Sequence, residues 1–226
     1  MVYAGARNAY EFLNKQDVDM PPYEDFFQKV QSLFSDLGNS KKGGIKDDIK
    51  SGDMKNKVQT LLEEINVEIS AEMFKKLINE WYQPFARELD IYEDSESTLK
   101  ALRQKGFRLV AVTNTAWSGE LIEGDLRRFG VASFFEAVIV SSDIGYRKPS
   151  PVIFERALRE LGLDASECIF VGDSIIEDIQ GAQQMGMRAI LKGKNHHKVA
   201  GIIPDAEVVN LYEIIEFLED DIQNRL

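Results

Sequence analysis

Gly172-Asp173-Ser174, with a second acid at Asp178, follows the apolar run 168–171, Cys-Ile-Phe-Val. A strand over that run would carry Asp173 to its C-terminal edge. Gly172 lets the backbone approach something bulky there, and Asp178 returns one helical turn later. Two carboxylates so placed suit a hard, oxygen-liganded cation such as Mg²⁺, although an Asp-Ser turn capping a helix uses the same residue types with no ligand at all. Two further strand ends carry polar groups. Thr113-Asn114 closes the apolar run 109–112, offering a hydroxyl and an amide. Lys148 precedes Pro149, whose fixed φ allows the ammonium to be aimed. A phosphoryl group in transfer spreads negative charge over its oxygens, so its catalysis is largely the placement of donors and cations. A hydroxyl, a fixed ammonium and a carboxylate-held Mg²⁺ supply those parts.

The elements that must position these residues change character along the chain. Up to about residue 90 the apolar spacing is helical: helices are expected over 4–15, 23–37, 54–65 and 71–81, the last capped by Ser70 and ended by Pro84. Gly38, Gly43, Gly44 and Gly52 among lysines and aspartates mark 35–53 as a loop. Phe26, Phe27 and Phe34 read as core. Beyond residue 90, helices at 95–105, 119–129, 151–161 and 176–185 alternate with strands at 107–112, 135–140, 167–171 and 187–191. A short strand near 207–209 and a helix over 212–218 follow. Strands apolar throughout belong to a parallel sheet covered by helices on both faces, with ligands at the carboxyl ends of the strands. The expected class is α/β, a Rossmann-like parallel sheet with flanking helices plus a small all-helical domain. The boundaries are 4–88 for the helical unit and 89–226 for the α/β unit.

Composition narrows the function classes. The 226 residues carry 38 acids against 27 Lys and Arg, a formal charge of −11, which argues against a nucleic-acid surface. No apolar run approaches the ~20 residues that span a bilayer, and the first residues lack the charged and apolar regions of a signal peptide. The single cysteine, Cys168, excludes an internal disulfide, suits a reducing cytoplasm and reads as a structural thiol. His196-His197 reads as a solvated loop, because adjacent residues do not share a face. Trp117 and Tyr146 read as packing residues, and Arg147 as a surface residue or a contact for an anionic substrate.

The order Thr113, then Lys148-Pro149, then Gly172-Asp173-Ser174 with Asp178, each after a strand, resembles the haloacid dehalogenase superfamily over roughly residues 90–220. The stretch 141–154, Ser-Ser-Asp-Ile-Gly-Tyr-Arg-Lys-Pro-Ser-Pro-Val-Ile-Phe, reads closely like the third motif of its phosphatases. The resemblance implies a Mg²⁺-dependent phosphomonoesterase acting on a small phosphorylated metabolite. Thr113 and the Asn114 amide would bind phosphate, and Lys148 would neutralise charge. Asp173 would hold Mg²⁺, and Asp178 would bind the metal's waters or orient Lys148. The helical region resembles the cap that closes over substrate in these enzymes. Dehalogenases of the superfamily are metal-free and typically have Ser-Ser-Asn where this chain has Gly172-Asp173-Ser174, which makes a 2-haloacid dehalogenase the less favoured enzyme.

The first motif of these enzymes, a strand ending in Asp-x-Asp-x-Thr or Val that carries the nucleophile, has no counterpart delivered by a strand. Asp17-Val18-Asp19 follows a helical pattern and precedes Met20-Pro21-Pro22. The expected explanation is a strand of roughly ten residues preceding Met1; the alternative is a protein that has lost the motif and binds phosphate or a partner without catalysis. About five buried aliphatic side chains at ~1.5–3 kcal/mol each would equal the whole stability of a typical domain, ~5–15 kcal/mol. In the superfamily that strand lies between the two that correspond to those ending at Thr113 and Gly172, so the resemblance implies a gap between them.

Overall fold

The computed structural model describes residues 1–35, 53–193 and 199–225, with side chains described through residue 219. The glycine-rich segment 36–52 and the His196-His197 pair lie outside the described residues.

Four helices come first: α1 (Val2–Lys15), α2 (Tyr23–Phe34), α3 (Met54–Glu64) and α4 (Ala71–Ala86). Their apolar faces bury Ala6, Ala9 and Leu13 of α1 with Phe26, Val30, Phe34, Val58, Leu61, Leu77 and Trp81 in one helical cluster. Gly5 marks the tightest crossing, since a Cβ there would overlap the Trp81 carbonyl and indole. The Ser70 hydroxyl accepts the Met73 N–H (3.2 Å) and caps α4 as its sequence suggests. Pro84 does not end α4, which runs on to Ala86. A proline deprives the carbonyl four residues earlier of its donor; here that carbonyl, Glu80, accepts from Asn8 Nδ2 of α1 at 3.4 Å instead.

The α/β portion contains α5 (Ser95–Gln104), β1 (Val110–Thr113), α6 (Gly119–Arg128), β2 (Ala137–Val140), α7 (Ser141–Ile144), α8 (Pro151–Leu161) and β3 (Ile169–Gly172). A π-helical turn over Ile175–Gln180, α9 (Gly181–Gln184), β4 (Arg188–Lys192), β5 (Ala206–Val208) and α10 (Glu213–Arg225) complete it. Among the described residues all strand pairs are parallel, three ladders in two sheets: β1-β2 in register Val110↔Ala137, and β3-β4-β5 with Ile169↔Arg188 and Ile190↔Ala206.

Among the described residues no ladder joins β1 to β3. The two sheets nevertheless share a covering. Val110, Val112 and Ile139 of the first and Phe170, Ala189 and Leu191 of the second pack on one cluster with Ile153 and Phe154 of α8. On the other face Leu109, Ile169 and Ile190 meet Leu102 of α5 and Ile214, Ile215 and Leu218 of α10. β4 is buried on both faces as expected of a central strand. β1 and β3 are not: every residue of β1 is part-exposed and Val171 is 36% exposed. The expectation that all these strands are buried on both faces is thus corrected at the two strands bordering the gap. The Leu109 carbonyl accepts the Glu136 N–H on the β2 side (2.8 Å). Carbonyls alternate sides along a strand, so Val112 directs its own toward the gap.

Candidate functional site

The carboxyl edges of β1 and β3 bring the motif residues together. Thr113 is the last residue of β1, and Asn114 follows it. Between β2 and α8 the chain passes through α7 and Gly145, in the left-handed region at φ 81°, to Arg147, Lys148 and a cis peptide to Pro149. Lys148 is 8% exposed. Its ammonium donates to the Val112 carbonyl (3.0 Å), pairs with Asp178 Oδ1 (2.7 Å) and lies 5.2 Å from the Phe170 ring centroid. It therefore stands between the strand that ends in Thr113 and the helical turn that follows β3, taking up the carbonyl that β1 aims into the gap.

Asp178 is buried at 3% exposure. Its Oδ2 accepts the N–H groups of Asp173 (3.0 Å) and Ser174 (2.9 Å), while Oδ1 faces Lys148. Both oxygens are engaged. Gly172 is what allows this, since a Cβ at 172 would overlap the Asp178 carboxylate. Ser174 caps the π-helical turn, accepting the Glu177 N–H at 3.2 Å. Asp173 points outward: it is exposed, and its carboxylate has no partner among the described residues. Thr113, half-buried at the end of β1, likewise has no side-chain partner among them.

Asn114 is tied by its amide to the Lys148 backbone. Oδ1 accepts the Lys148 N–H (2.8 Å) and Nδ2 donates to the Lys148 carbonyl (3.0 Å) and to Glu177 Oε2 (3.1 Å). Glu177 Oε1 pairs with Arg147 Nη2 at 2.6 Å. Arg147, read from sequence as a surface residue or an anion contact, is thus held within the site, and Glu177 is a participant that motif reasoning passed over. Its only sequence signal is an acid beside Asp178 on the first turn after the strand. Behind the edge, Ser141 at the end of β2 exchanges hydrogen bonds with Thr115, donating to its carbonyl (3.0 Å) and accepting its N–H (2.9 Å). Asp143 Oδ2 accepts the Gly119 N–H at the start of α6 (3.0 Å). These bonds fix the loop that follows Thr113.

The helical cluster is joined to this loop by aromatic packing. Trp117, 7% exposed, lies edge-on to Tyr82 at 4.9 Å and near Phe85, in the packing role expected of it. The Tyr82 hydroxyl donates to buried Asp125 of α6, which Arg128 also contacts at 3.1 Å. Burial first, and the bond to Asp125 second, push the Tyr82 phenol well above its ordinary range. A groove of about 1150 Å³ runs between α3, α4 and α6 beside these residues. Burial, then Glu167, raises the Cys168 thiol pKa above its ordinary value, consistent with an inert structural thiol. Asp17 and Asp19 are exposed in the turn between α1 and α2, so no strand delivers that pair.

A model of the family described as haloacid dehalogenase-like hydrolase matches residues 24–192. The chain belongs to that family. Among its curated relatives, glyceraldehyde 3-phosphate phosphatase of Methanopyrus kandleri is 36% identical over 136 residues, 57% of each chain. Ribulose-1,5-bisphosphate 5-phosphatase of Halopiger xanaduensis is 30% identical over 111 residues, 49% of this chain and 46% of that protein. The chain spans about half the length of the curated relatives it matches. Among solved structures, a 2-haloacid dehalogenase from Pseudomonas syringae aligns with a TM-score of 0.65 at 26% identity, over 97% of this chain and 91% of that one. A HAD phosphatase from Thermococcus onnurineus aligns at 0.60 and 22% identity, over 95% and 87%. This member of the family therefore has the α/β fold with parallel strands and many helices that its sequence rhythm implies. No described helix is long and apolar enough to cross a membrane.

Proposed function

We propose that this haloacid dehalogenase-like protein is a phosphomonoester hydrolase for a small phosphorylated metabolite, its phosphate held at the carboxyl edges of β1 and β3. The observation that carries the reading is the buried Lys148 ammonium fixed between those edges, where Thr113 and the Asp173 carboxylate also stand, both unpartnered among the described residues. In this reading Lys148 and the Thr113 hydroxyl compensate the charge of the phosphate oxygens, with the Asn114 backbone amide beside them. Asp178 orients Lys148 rather than serving as a free ligand, because both of its oxygens are engaged. The first helical unit, 4–88, is the cap over the α/β unit, 89–226. A single cysteine and the acidic balance fit a cytoplasmic protein that binds neither nucleic acid nor membrane.

Mg²⁺ belongs to the proposal with Asp173 as its ligand, where it would offset charge on the phosphate. Among the described residues no three or more His, Cys, Asp or Glu side chains stand together as an ion site. Asp173 therefore supplies one donor of the six that Mg²⁺ takes, not a complete site. The remaining carboxylates, and the nucleophile, would come on a strand lying between β1 and β3. Exposed Val171 and part-exposed β1 support that placement. Over the dehalogenase chemistry of the Pseudomonas protein, Gly172-Asp173-Ser174 favours phosphate, since a free carboxylate at that edge suits a metal.

The test is hydrolysis of an aryl phosphate by the chain fused, ahead of Met1, to an apolar strand ending in Asp-x-Asp-x-Thr. Mg²⁺-dependent turnover, lost on Asp173→Asn, is expected, while residues 1–226 alone stay inactive. A catalytically silent phosphate-binding protein is the result if the fusion is folded and inactive. Turnover by residues 1–226 that survives Asp173→Asn would put the chemistry on other residues.

A further inference from the structure

We propose that Glu177 is a positioning residue, holding the Lys148 segment at the mouth of the gap between β1 and β3 through Asn114 and Arg147. The proposal rests on the reading of Lys148 as the phosphate-binding cation. Its starting point is that no ladder joins β1 to β3 among the described residues, so side chains must set the relation of the two carboxyl edges. Beyond the apolar clusters that both sheets share, the polar links across the two edges come from two consecutive residues after β3. Asp178 pairs with the ammonium end of Lys148 at 2.7 Å. Glu177 reaches the backbone end, because its two oxygens take Arg147 Nη2 (2.6 Å) on one side and Asn114 Nδ2 (3.1 Å) on the other.

The Asn114 amide is the part of this linkage that a surface ion pair would not need. An ionised carboxylate is an acceptor only, so it fixes which end of the amide faces it. With Nδ2 toward Glu177, Oδ1 is left to accept the Lys148 N–H at 2.8 Å while the second Nδ2 hydrogen meets the Lys148 carbonyl at 3.0 Å. Turning the amide over would set a carbonyl oxygen against both the carboxylate and the Lys148 carbonyl. Glu177 thus reinforces the one orientation in which Asn114 reads both backbone groups of Lys148, and ties that amide to the turn after β3. The Arg147–Glu177 pair alone, with side chains 25% and 36% exposed, would contribute little; the bond from Asn114 Nδ2 to the second oxygen of Glu177 is what couples it to Lys148. The first turn that carries Glu177 is in turn pinned by Ser174, which accepts the Glu177 N–H at 3.2 Å.

The experiment follows amide exchange at the Lys148 N–H by ¹⁵N NMR in the full chain, with the Ile190 N–H of β4 as the internal reference for global opening. Glu177→Ala should speed exchange at Lys148 roughly tenfold or more, the loss expected of a bond to a charged group, with Ile190 unchanged. Asn114→Ala, which deletes the acceptor itself, should accelerate exchange at least as much, and the double variant no more than Asn114→Ala, since Glu177 acts through that amide. Glu177→Gln, which keeps an acceptor for Asn114 but loses the charge, should fall between. Affinity for inorganic phosphate, measured by calorimetry on the same samples, should weaken about tenfold in Glu177→Ala. Unchanged Lys148 exchange in Glu177→Ala, or an equal rise at Ile190, overturns the positioning role. If the unsubstituted chain takes up no phosphate, the phosphate reading of Lys148 falls, and the exchange ratio still decides for or against Glu177.

Discussion

Replacing Lys148 by Met keeps most of the side-chain volume and removes the charge, which makes it the sharpest probe of the pair that spans the gap. Lys148 and Asp178 have side chains 10% and 4% exposed, so the substitution leaves a buried carboxylate without its counter-charge. Breaking a buried pair on one side costs ~3–5 kcal/mol. Asp178 keeps the N–H groups of Asp173 and Ser174, which places the expected loss near the lower end, about 3 kcal/mol. The lost bond to the Val112 carbonyl adds about 1 kcal/mol. Against a typical stability of ~5–15 kcal/mol, a total of about 4 kcal/mol moves the urea midpoint far enough to measure with confidence. Asp178→Asn alone should cost less, because Lys148 keeps its bond to the Val112 carbonyl and its place over the Phe170 ring. The double variant should recover part of the sum, giving a coupling of about 1–3 kcal/mol. Urea unfolding followed by circular dichroism, with m-values checked for constancy, reads all four corners of the cycle. A Lys148→Met change within about 0.5 kcal/mol of the unsubstituted chain, or a coupling near zero, would refute the claim that this pair links the two sheets.

Three further outcomes follow from separate features. Gly172→Ala should destabilise by at least ~1–3 kcal/mol, because its methyl overlaps the Asp178 carboxylate; a neutral result in urea unfolding would mean that Asp178 is not seated against the glycine. Tyr82→Phe removes a hydrogen bond to buried Asp125 and should cost about 1.5–3 kcal/mol, with proteolysis between α4 and α6 accelerated. Glu136 is held down to about 2, chiefly by its hydrogen bonds from Arg108 and then Arg103. A carboxylate depressed in the folded state stabilises above its unfolded pKa of about 4.3 and loses that contribution as pH falls through its folded value. Acid titrations should therefore show Glu136→Gln less stable than the unsubstituted chain near neutrality, with the two curves merging toward pH ~2; a constant offset across the titration would show that the ion pairs contribute nothing.

The alternation of helix and strand after residue 90 was plain in the sequence because helices and buried strands write different apolar periods. The motif residues were legible for the same reason, each standing where an apolar run stops. Element ends were less so. Strand 107–112 begins only at Val110, where its ladder partner starts at Ala137, a pairing that the apolar run itself does not reveal. The expected helix 176–185 starts as a π-helical turn at Ile175, where Asp178 must reach back to the amides of Asp173 and Ser174. Pro84 misled because its consequence is decided by Asn8, a residue remote in sequence. The role of Glu177 was hidden similarly, since its partners Asn114 and Arg147 lie on two other segments. Asp178 offers two roles in sequence, metal or lysine, and its contacts with Lys148 and with the Asp173 and Ser174 amides come into view only in the fold.

The central claim, a phosphate site built on Lys148 at the edges of β1 and β3, is tested most directly by calorimetric titration of inorganic phosphate into the chain. Thr113→Val and Lys148→Met are compared at a temperature where circular dichroism shows each folded. The account predicts saturable binding by the unsubstituted chain, weakened by Thr113→Val and abolished by Lys148→Met. Equal binding by all three proteins, or none by the unsubstituted chain, would contradict it.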